Sequence, residues 1–371
     1  MVLIVVLSMA IHGCYIGSKV VVSLLALELG ASQLLIGVIA SLYAVLPLAL
    51  GVYSGRMSDT IGMRVPMLIG AGLTAVAMLC SFFWQTIAAL LATATLMGAA
   101  FVFYNVSIQN LAGSYGQPAQ RARNFSILTI GYSLSTFAGP MIAGFTIDYA
   151  GHAYAFLAFA LLTLIPISIL TFYPDAVRSA VPKPGRKGSR SLDLLRDPPL
   201  RNVIVMSGLM VAAYELFAFY MPVFGHSIGL SASTIGIVMG TYATATFLTR
   251  FVLPFLLRSV RQEQVLFAFM LLSAGGFVLM PFLRDVPLIM SATFAIGFGL
   301  GVGQPISMTL SFNQSPAGRT GEVTGLRLTA NNIARIVIPL TAGGLGAAFG
   351  IVPVFWMNAL NLGLISWLAR R

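Results

Sequence analysis

Residues 30–44 read GASQLLIGVIASLYA, and residues 229–243 read GLSASTIGIVMGTYA. Shifting the chain by 199 residues lays Gly30, Ser32, Ile36, Gly37, Tyr43 and Ala44 on Gly229, Ser231, Ile235, Gly236, Tyr242 and Ala243. The same offset lays Tyr15 on Tyr214 and Gly98 on Gly297. It also lays Pro140, Ala143 and Gly144 on Pro339, Ala342 and Gly343. One unbroken offset running through several segments marks an internal duplication. It divides the chain into halves at 1–172 and 201–371, joined by residues 173–200.

Composition says what each half is made of. The 371 residues are 58% hydrophobic and 8% charged, against about 45–50% and about 25% in an ordinary soluble domain. So little charge cannot cover a water-soluble surface. A soluble enzyme, a disordered chain and a nucleic-acid binder are therefore excluded, and a polytopic membrane protein remains. A membrane barrel would alternate apolar and polar residues with period two. Here the apolar runs are continuous, as from Ala88 to Leu111, so the expected class is all-α.

Membrane helices need about 20 mostly apolar residues. Twelve are expected, at 2–27, 32–54, 65–84, 86–111, 124–147, 153–173, 201–224, 231–257, 264–283, 287–311, 323–346 and 349–369. The first could pass for a secretory or lipoprotein signal ending at Cys14. A signal starts with basic residues, and none precedes Lys19, so the segment is read as a membrane helix. Residues 173–200 carry Pro174, Pro182, Pro184, Pro198 and Pro199 with scattered charge, the composition of a linker.

Of the 21 Lys and Arg residues, seventeen fall in the connections on one side, only Arg284 on the other, and Lys19, Arg250 and Arg335 inside spans. Basic loops stay cytoplasmic. Both termini and the linker are therefore expected in the cytoplasm, and the net charge of +11 marks membrane orientation. Cys14 and Cys80 lie 66 residues apart in apolar runs and are read as small packing residues. Three scattered histidines offer no metal site, and neither metal nor cofactor is expected. No Ser/His, paired-Asp or His-Glu-x-x-His set suggests an intramembrane enzyme.

Between the second and third spans stands Gly55-Arg56-Met57-Ser58-Asp59-Thr60-Ile61-Gly62-Met63-Arg64. This segment, within two six-helix halves, resembles the major facilitator superfamily over essentially the whole chain. Gly55, Ser58, Asp59, Gly62 and Arg64 match the family pattern, whereas Thr60 and Met63 stand where basic residues are usual. The resemblance implies a cytoplasmic latch in which Asp59 meets the start of the eleventh span, Val323–Gly325, with Arg327 close by. An anion beside a helix N-terminus is favourable. In the fifth span, Ser135, Gly139, Pro140, Ala143 and Gly144 are similar to the Gly-Pro motif of the family's antiporters. The arginine that many proton-linked exporters carry four residues before a fourth-span glycine is absent: Ala94 precedes Gly98.

Ionisable residues inside a membrane are costly and usually functional. Glu215 lies 14 residues from Arg201, about 21 Å of helix, well inside the bilayer. Two readings stand: a proton-coupling or cation-binding carboxylate, or a structural salt bridge, best supplied by Lys19. Arg327, Asn331 and Arg335 share one helical stripe, which either joins the Asp59 interface or faces substrate. Arg250 is expected to snorkel. In the resembled fold, spans 1, 4, 7 and 10 line a central cavity. That adds Tyr15, Tyr104, Asn105, Gln109, Gln304 and Ser307 as candidates; Asn105 and Gln304 coincide under the repeat, as midplane residues should. His12 is read as packing.

The expected function is proton-coupled export of a small organic solute by a monomeric transporter in the inner membrane of a bacterium. Uptake of an organic anion, favoured by Lys19 and Arg335, is the alternative. A receptor or scaffold on the same fold is a remote third.

Overall fold

The computed structural model describes residues 2–114, 121–173, 177, 191–316 and 320–368. It is helical, with no strand among the described residues. The helices are α1 (Val2–Glu28), α2 (Gln33–Ile61), α3 (Arg64–Phe83), α4 (Ile87–Ser114), α5 (Arg121–Ala150), α6 (His152–Leu162), α7 (Leu164–Phe172), α8 (Pro198–Ser227), α9 (Ala232–Leu256), α10 (Gln262–Leu279), α11 (Val286–Leu300), α12 (Gly303–Asn313), α13 (Thr320–Phe349) and α14 (Ile351–Leu368). Twelve stretches among them are long and apolar enough to cross a membrane, matching the twelve spans expected.

Two spans are each built from two helices, and proline explains both breaks. α6 gives way to α7 at Thr163, where Pro166 has no N–H for the Leu162 carbonyl. α11 gives way to α12 after Gly301, where Pro305 cannot donate to the Gly301 carbonyl. A missing donor and a ring clash four residues downstream end a helix. α8 starts at Pro198, three residues inside the expected linker, because proline suits a first turn whose N–H groups are unpaired anyway.

The loop expected at 55–64 is a correction. α2 runs on through Ser58 and Asp59 to Ile61, and the turn narrows to Gly62 and Met63. Gly62 has φ +85, the left-handed conformation that ends helices and suits glycine. Other helix ends keep the repeat: Gly30 and Gly229 have φ 76 and 82, Gly151 and Gly350 have φ 90 and 82.

The residues gather into two compact units. One comprises 1–31, 42–185 and 225–240; the other comprises 32–41, 186–224 and 241–371. In the first, α1 packs along α5, α3 along α4, and α6 against α3. In the second, α10 packs on α14 and α11, and α13 on α14. The first turns of α2 thus belong with α13, and those of α9 with α5. Glycines permit both approaches: a methyl group at Gly37 would strike the Pro339 carbonyl, and one at Gly236 the Pro140 carbonyl. The repeat exchanges these two contacts.

Candidate functional site

In the first unit the polar centre is Lys19. Its side chain is wholly buried, with Nζ 4.5 Å from the centre of the Tyr15 ring and 5.8 Å from that of Tyr43. An ammonium over aromatic faces is held by the ring quadrupoles. The two tyrosines meet edge to face at 5.6 Å. Tyr15 also stacks on Phe101 at 4.0 Å, and Tyr43 Oη shares a 3.0 Å hydrogen bond with Ser18 Oγ. His12 stacks near Tyr15 and lies 4.7 Å from the Tyr132 ring. Asn105 Oδ1 accepts a 2.6 Å hydrogen bond from Tyr132.

Tyr104 belongs elsewhere. Its hydroxyl donates to the Leu7 carbonyl at 3.0 Å, and its ring is buried among Met67, Ile108 and Leu111. It fastens α4 to α1, a packing role.

In the second unit the polar centre is Glu215. Its carboxylate is 6% exposed, and Oε1 lies 3.2 Å from Arg335 Nε. The Nε–H is not aimed at that oxygen, so the contact is an ion pair rather than a linear hydrogen bond. Beside it, the rings of Tyr214 and Tyr242 lie 5.7 Å apart, and Phe217 stacks on Tyr242 at 4.6 Å. The stripe on α13 meets α8 along its length: Ser207 donates to Asn331 Oδ1 at 3.0 Å and accepts from Arg327 at 3.3 Å. Arg335, for which the Asp59 interface and a substrate-facing role both stood open, reaches Glu215; the stripe's rotation brings all three residues to α8. Gln304 is exposed at the start of α12, and its carbonyl accepts from Ser307.

The remaining candidates divide. The side chain of Asp59 lies outside the described residues, as does that of Arg56. Arg64 binds within its own unit, donating to the carbonyls of Leu170 and Thr171 at 2.6 and 3.2 Å, where a cation meets the negative end of α7. Gly55 has open space around it. In the α5 motif, Gly139 presses on Gly13 and Gly17 of α1, while Pro140 and Gly144 face α9. Cys14 is buried and contacts the Phe159 carbonyl. No described group of three His, Cys, Asp or Glu residues could hold a metal.

Tyr43, Tyr132 and Tyr242 were not singled out as site residues from sequence. Tyr43 and Tyr242 did carry a signal, as identical positions of the repeat. Tyr132 carried none, because its partner Asn105 is 27 residues away on another helix.

Comparison with solved structures supports the fold. A nucleoside transporter superposes with a TM-score of 0.81 at 14% identity, covering 99% of this chain and 98% of that one. A bacterial homologue of the human lysosomal transporter Spinster gives 0.79 at 12% identity, covering 98% and 95%. Among curated proteins, the vesicular acetylcholine transporter of Homo sapiens is 25% identical over 234 residues, 58% of this chain and 43% of its own length. The chromaffin granule amine transporter of Rattus norvegicus is 26% identical over 181 residues, 48% of this chain and 33% of its own. The chain thus spans less than half the length of these relatives. The family model described as Major Facilitator Superfamily matches residues 2–339 and 225–370. With twelve spans, a duplicated architecture and a family match along nearly its whole length, the chain belongs to the Major Facilitator Superfamily.

Proposed function

We propose that the protein is a secondary transporter that exports a small organic cation in exchange for protons. Its membrane is the cytoplasmic membrane, with both termini inside. Two six-helix bundles, 1–172 and 201–371, rock about the 173–200 linker to expose the site to each side in turn. The segment from Gly55 through Asp59 to Gly62 serves as its conformational latch.

The observation that carries this reading is the pairing of buried Glu215 with the half-buried Arg335. A carboxylate held by an arginine can trade that partner for a proton or for a cationic solute, but not for both at once. Exclusive occupancy of one site is what an exchanger requires. The relatives named for acetylcholine and amines favour a cationic solute. The Tyr214 and Tyr242 rings would face such a cation, and Asn105 and Gln304 would add hydrogen bonds. Lys19 beneath Tyr15 favours a second reading, uptake of an organic anion.

The test is uptake into proteoliposomes under an imposed pH gradient. Labelled choline and tetraethylammonium probe the cation reading, and labelled salicylate the anion reading. Gradient-driven accumulation of a cation is expected in the native protein. Glu215→Gln should abolish accumulation yet keep passive exchange. Full accumulation in Glu215→Gln would remove the coupling role, and accumulation of salicylate alone would replace the cation by the anion.

A further inference from the structure

The α5–α9 and α2–α13 contacts are copies of one another in their backbone approach, and the departure that brings a charge to one of them is at a single position. Gly144 lies against the Ala232 carbonyl, and Gly343, its repeat equivalent, lies against the carbonyl of Gln33, which is the equivalent of Ala232. Both receiving helices carry a serine that bonds their first turn: Ser231 accepts from Thr234 N–H at 3.2 Å, and Ser32 from Leu35 N–H at 3.3 Å. The departure is Asp148. Its Oδ1 accepts from Ala232 N–H at 3.0 Å and its Oδ2 from Ser233 N–H at 2.7 Å. The carboxylate thus bridges the last turn of α5 to the two N–H groups that Ser231 leaves open.

The equivalent of Asp148 is Ala347. Neither is enclosed: both positions are exposed. At the copy, the Gln33 side chain lies against Gly346, and its Oε1 accepts no hydrogen bond among the described residues. One helix start therefore receives a full negative charge, and its copy receives none. Charge at a helix N-terminus is stabilising, and bonds to an ionised acceptor are stronger than neutral ones.

We propose that Asp148 is a positioning residue for the transport cycle, a latch that holds α5 to α9 at the end of the protein remote from the basic loops. Resting on the transporter reading, in which α5 and α9 belong to different rocking bundles, it requires both Asp148 bonds to break whenever that end opens. The α2–α13 contact, held by neutral packing and by the Ser41 hydroxyl, which donates to the Ile336 carbonyl at 2.8 Å, has no carboxylate at its helix start and opens with less resistance there, and Asp148 sets the balance between closed and open populations.

The test reads distance rather than flux, so its failure is separate from failure of the transport proposal. Spin labels at Tyr149 and Ile228, with Cys14 and Cys80 replaced by alanine, report the α5–α9 separation in bilayer nanodiscs. Asp148→Ala should raise the longer-distance population about 2- to 5-fold, the equivalent of one helix-end charge. Asp148→Asn keeps the side-chain shape and should shift in the same direction if the alanine variant fails to fold. Adding Ala347→Asp to Asp148→Ala should restore the closed population, by supplying the missing carboxylate at the copy. Unchanged distances in folded Asp148→Ala or Asp148→Asn overturn the proposal. So does an undiminished shift after Ala347→Asp is added.

Discussion

The two halves hold the same pair of tyrosines and surround it differently. Tyr15 and Tyr43 in the first half lie 5.6 Å apart, and Tyr214 and Tyr242 in the second lie 5.7 Å apart. Behind each pair a glycine admits the backbone: a methyl group at Gly98 would come within 2.7 Å of the Tyr43 carbonyl, and one at Gly297 within 2.6 Å of that of Tyr242. Around this shared frame the chemistry diverges. Ser18 bonds the Tyr43 hydroxyl, whereas its equivalent Phe217 stacks on the Tyr242 ring. Lys19 is matched by Ala218, and Glu215 by Ile16. One aromatic frame thus presents a cation and the other a carboxylate paired with arginine. Duplication kept the residues that set how close helices come, because a change there must be answered by backbone on both sides. Charge moved freely among neighbouring positions of the same helix.

The largest expected effect breaks the second centre while sparing the first. Removing one partner of a fully buried ion pair strands the other, at a typical cost of about 3–5 kcal/mol; Arg335 is half-buried, so the cost here should lie at or below the lower end, and it falls on Glu215, which stays buried. Arg335→Met should therefore lower thermal stability sharply. The double variant Arg335→Met with Glu215→Gln should regain most of it, because no unpaired charge remains. Lys19→Met, whose ammonium rests on rings, should cost less than Arg335→Met. Melting temperatures of the four proteins in one detergent decide this. If the double variant is as unstable as Arg335→Met, the pair is not the interaction that matters.

A middle-sized effect tests the shared frame. Gly98→Val and Gly297→Val insert side chains against repeat-related carbonyls, and overpacking of this kind costs about 1–3 kcal/mol. The two losses should be comparable, because each new side chain meets a tyrosine carbonyl at nearly the same distance. A large loss at one and none at the other would mean that the frame is geometrically similar but mechanically unequal.

These comparisons show what could be read in the chain. Span number and the repeat were legible because both are long-range averages: about 20 apolar residues per crossing, and one offset that no gap disturbs. The breaks at Thr163 and Gly301 were legible in principle, since Pro166 and Pro305 stand three and four residues on, but proline is common enough in membrane helices to be passed over. The helix through Ser58 and Asp59 was hidden by glycines read as a turn. The partner of Arg335 was not legible. The stripe of Arg327, Asn331 and Arg335 orients α13, but α8 is apolar on nearly every other face and carries no stripe to fix which neighbour Glu215 meets, so Lys19 was as reasonable a partner for it as Arg335. Arg64 binding carbonyls at 170 and 171 is likewise a contact over a hundred residues, set by how α3 and α7 pack.

The smallest effect concerns the polar bridges beside each centre. Tyr132 and Asn331 are repeat equivalents of different chemistry, yet each takes part in side-chain hydrogen bonding within its own unit, Tyr132 with Asn105 and Gln109 and Asn331 with Ser207. Tyr132→Phe removes only the hydroxyl, which donates to Asn105 and also bonds the exposed Gln109. Asn105 is half-buried, so water can replace part of that bond, and the loss should be about 0.5–1.5 kcal/mol. Ser207→Ala removes the donor to Asn331 and the acceptor for Arg327 together. Both partners are buried, and a bond to a charged group is worth about 1.5–3 kcal/mol, so the second bridge should be the costlier of the two. Stability measured by denaturant or heat, with both variants in one membrane mimetic, gives the order. Equal losses would mean that Arg327 finds another acceptor when Ser207 is gone, and the Glu215–Arg335 pair and the Asn358 and Asn361 bonds to the Ala213 and Leu209 carbonyls of α8 would then carry more of the second half's polar rigidity than Ser207 does.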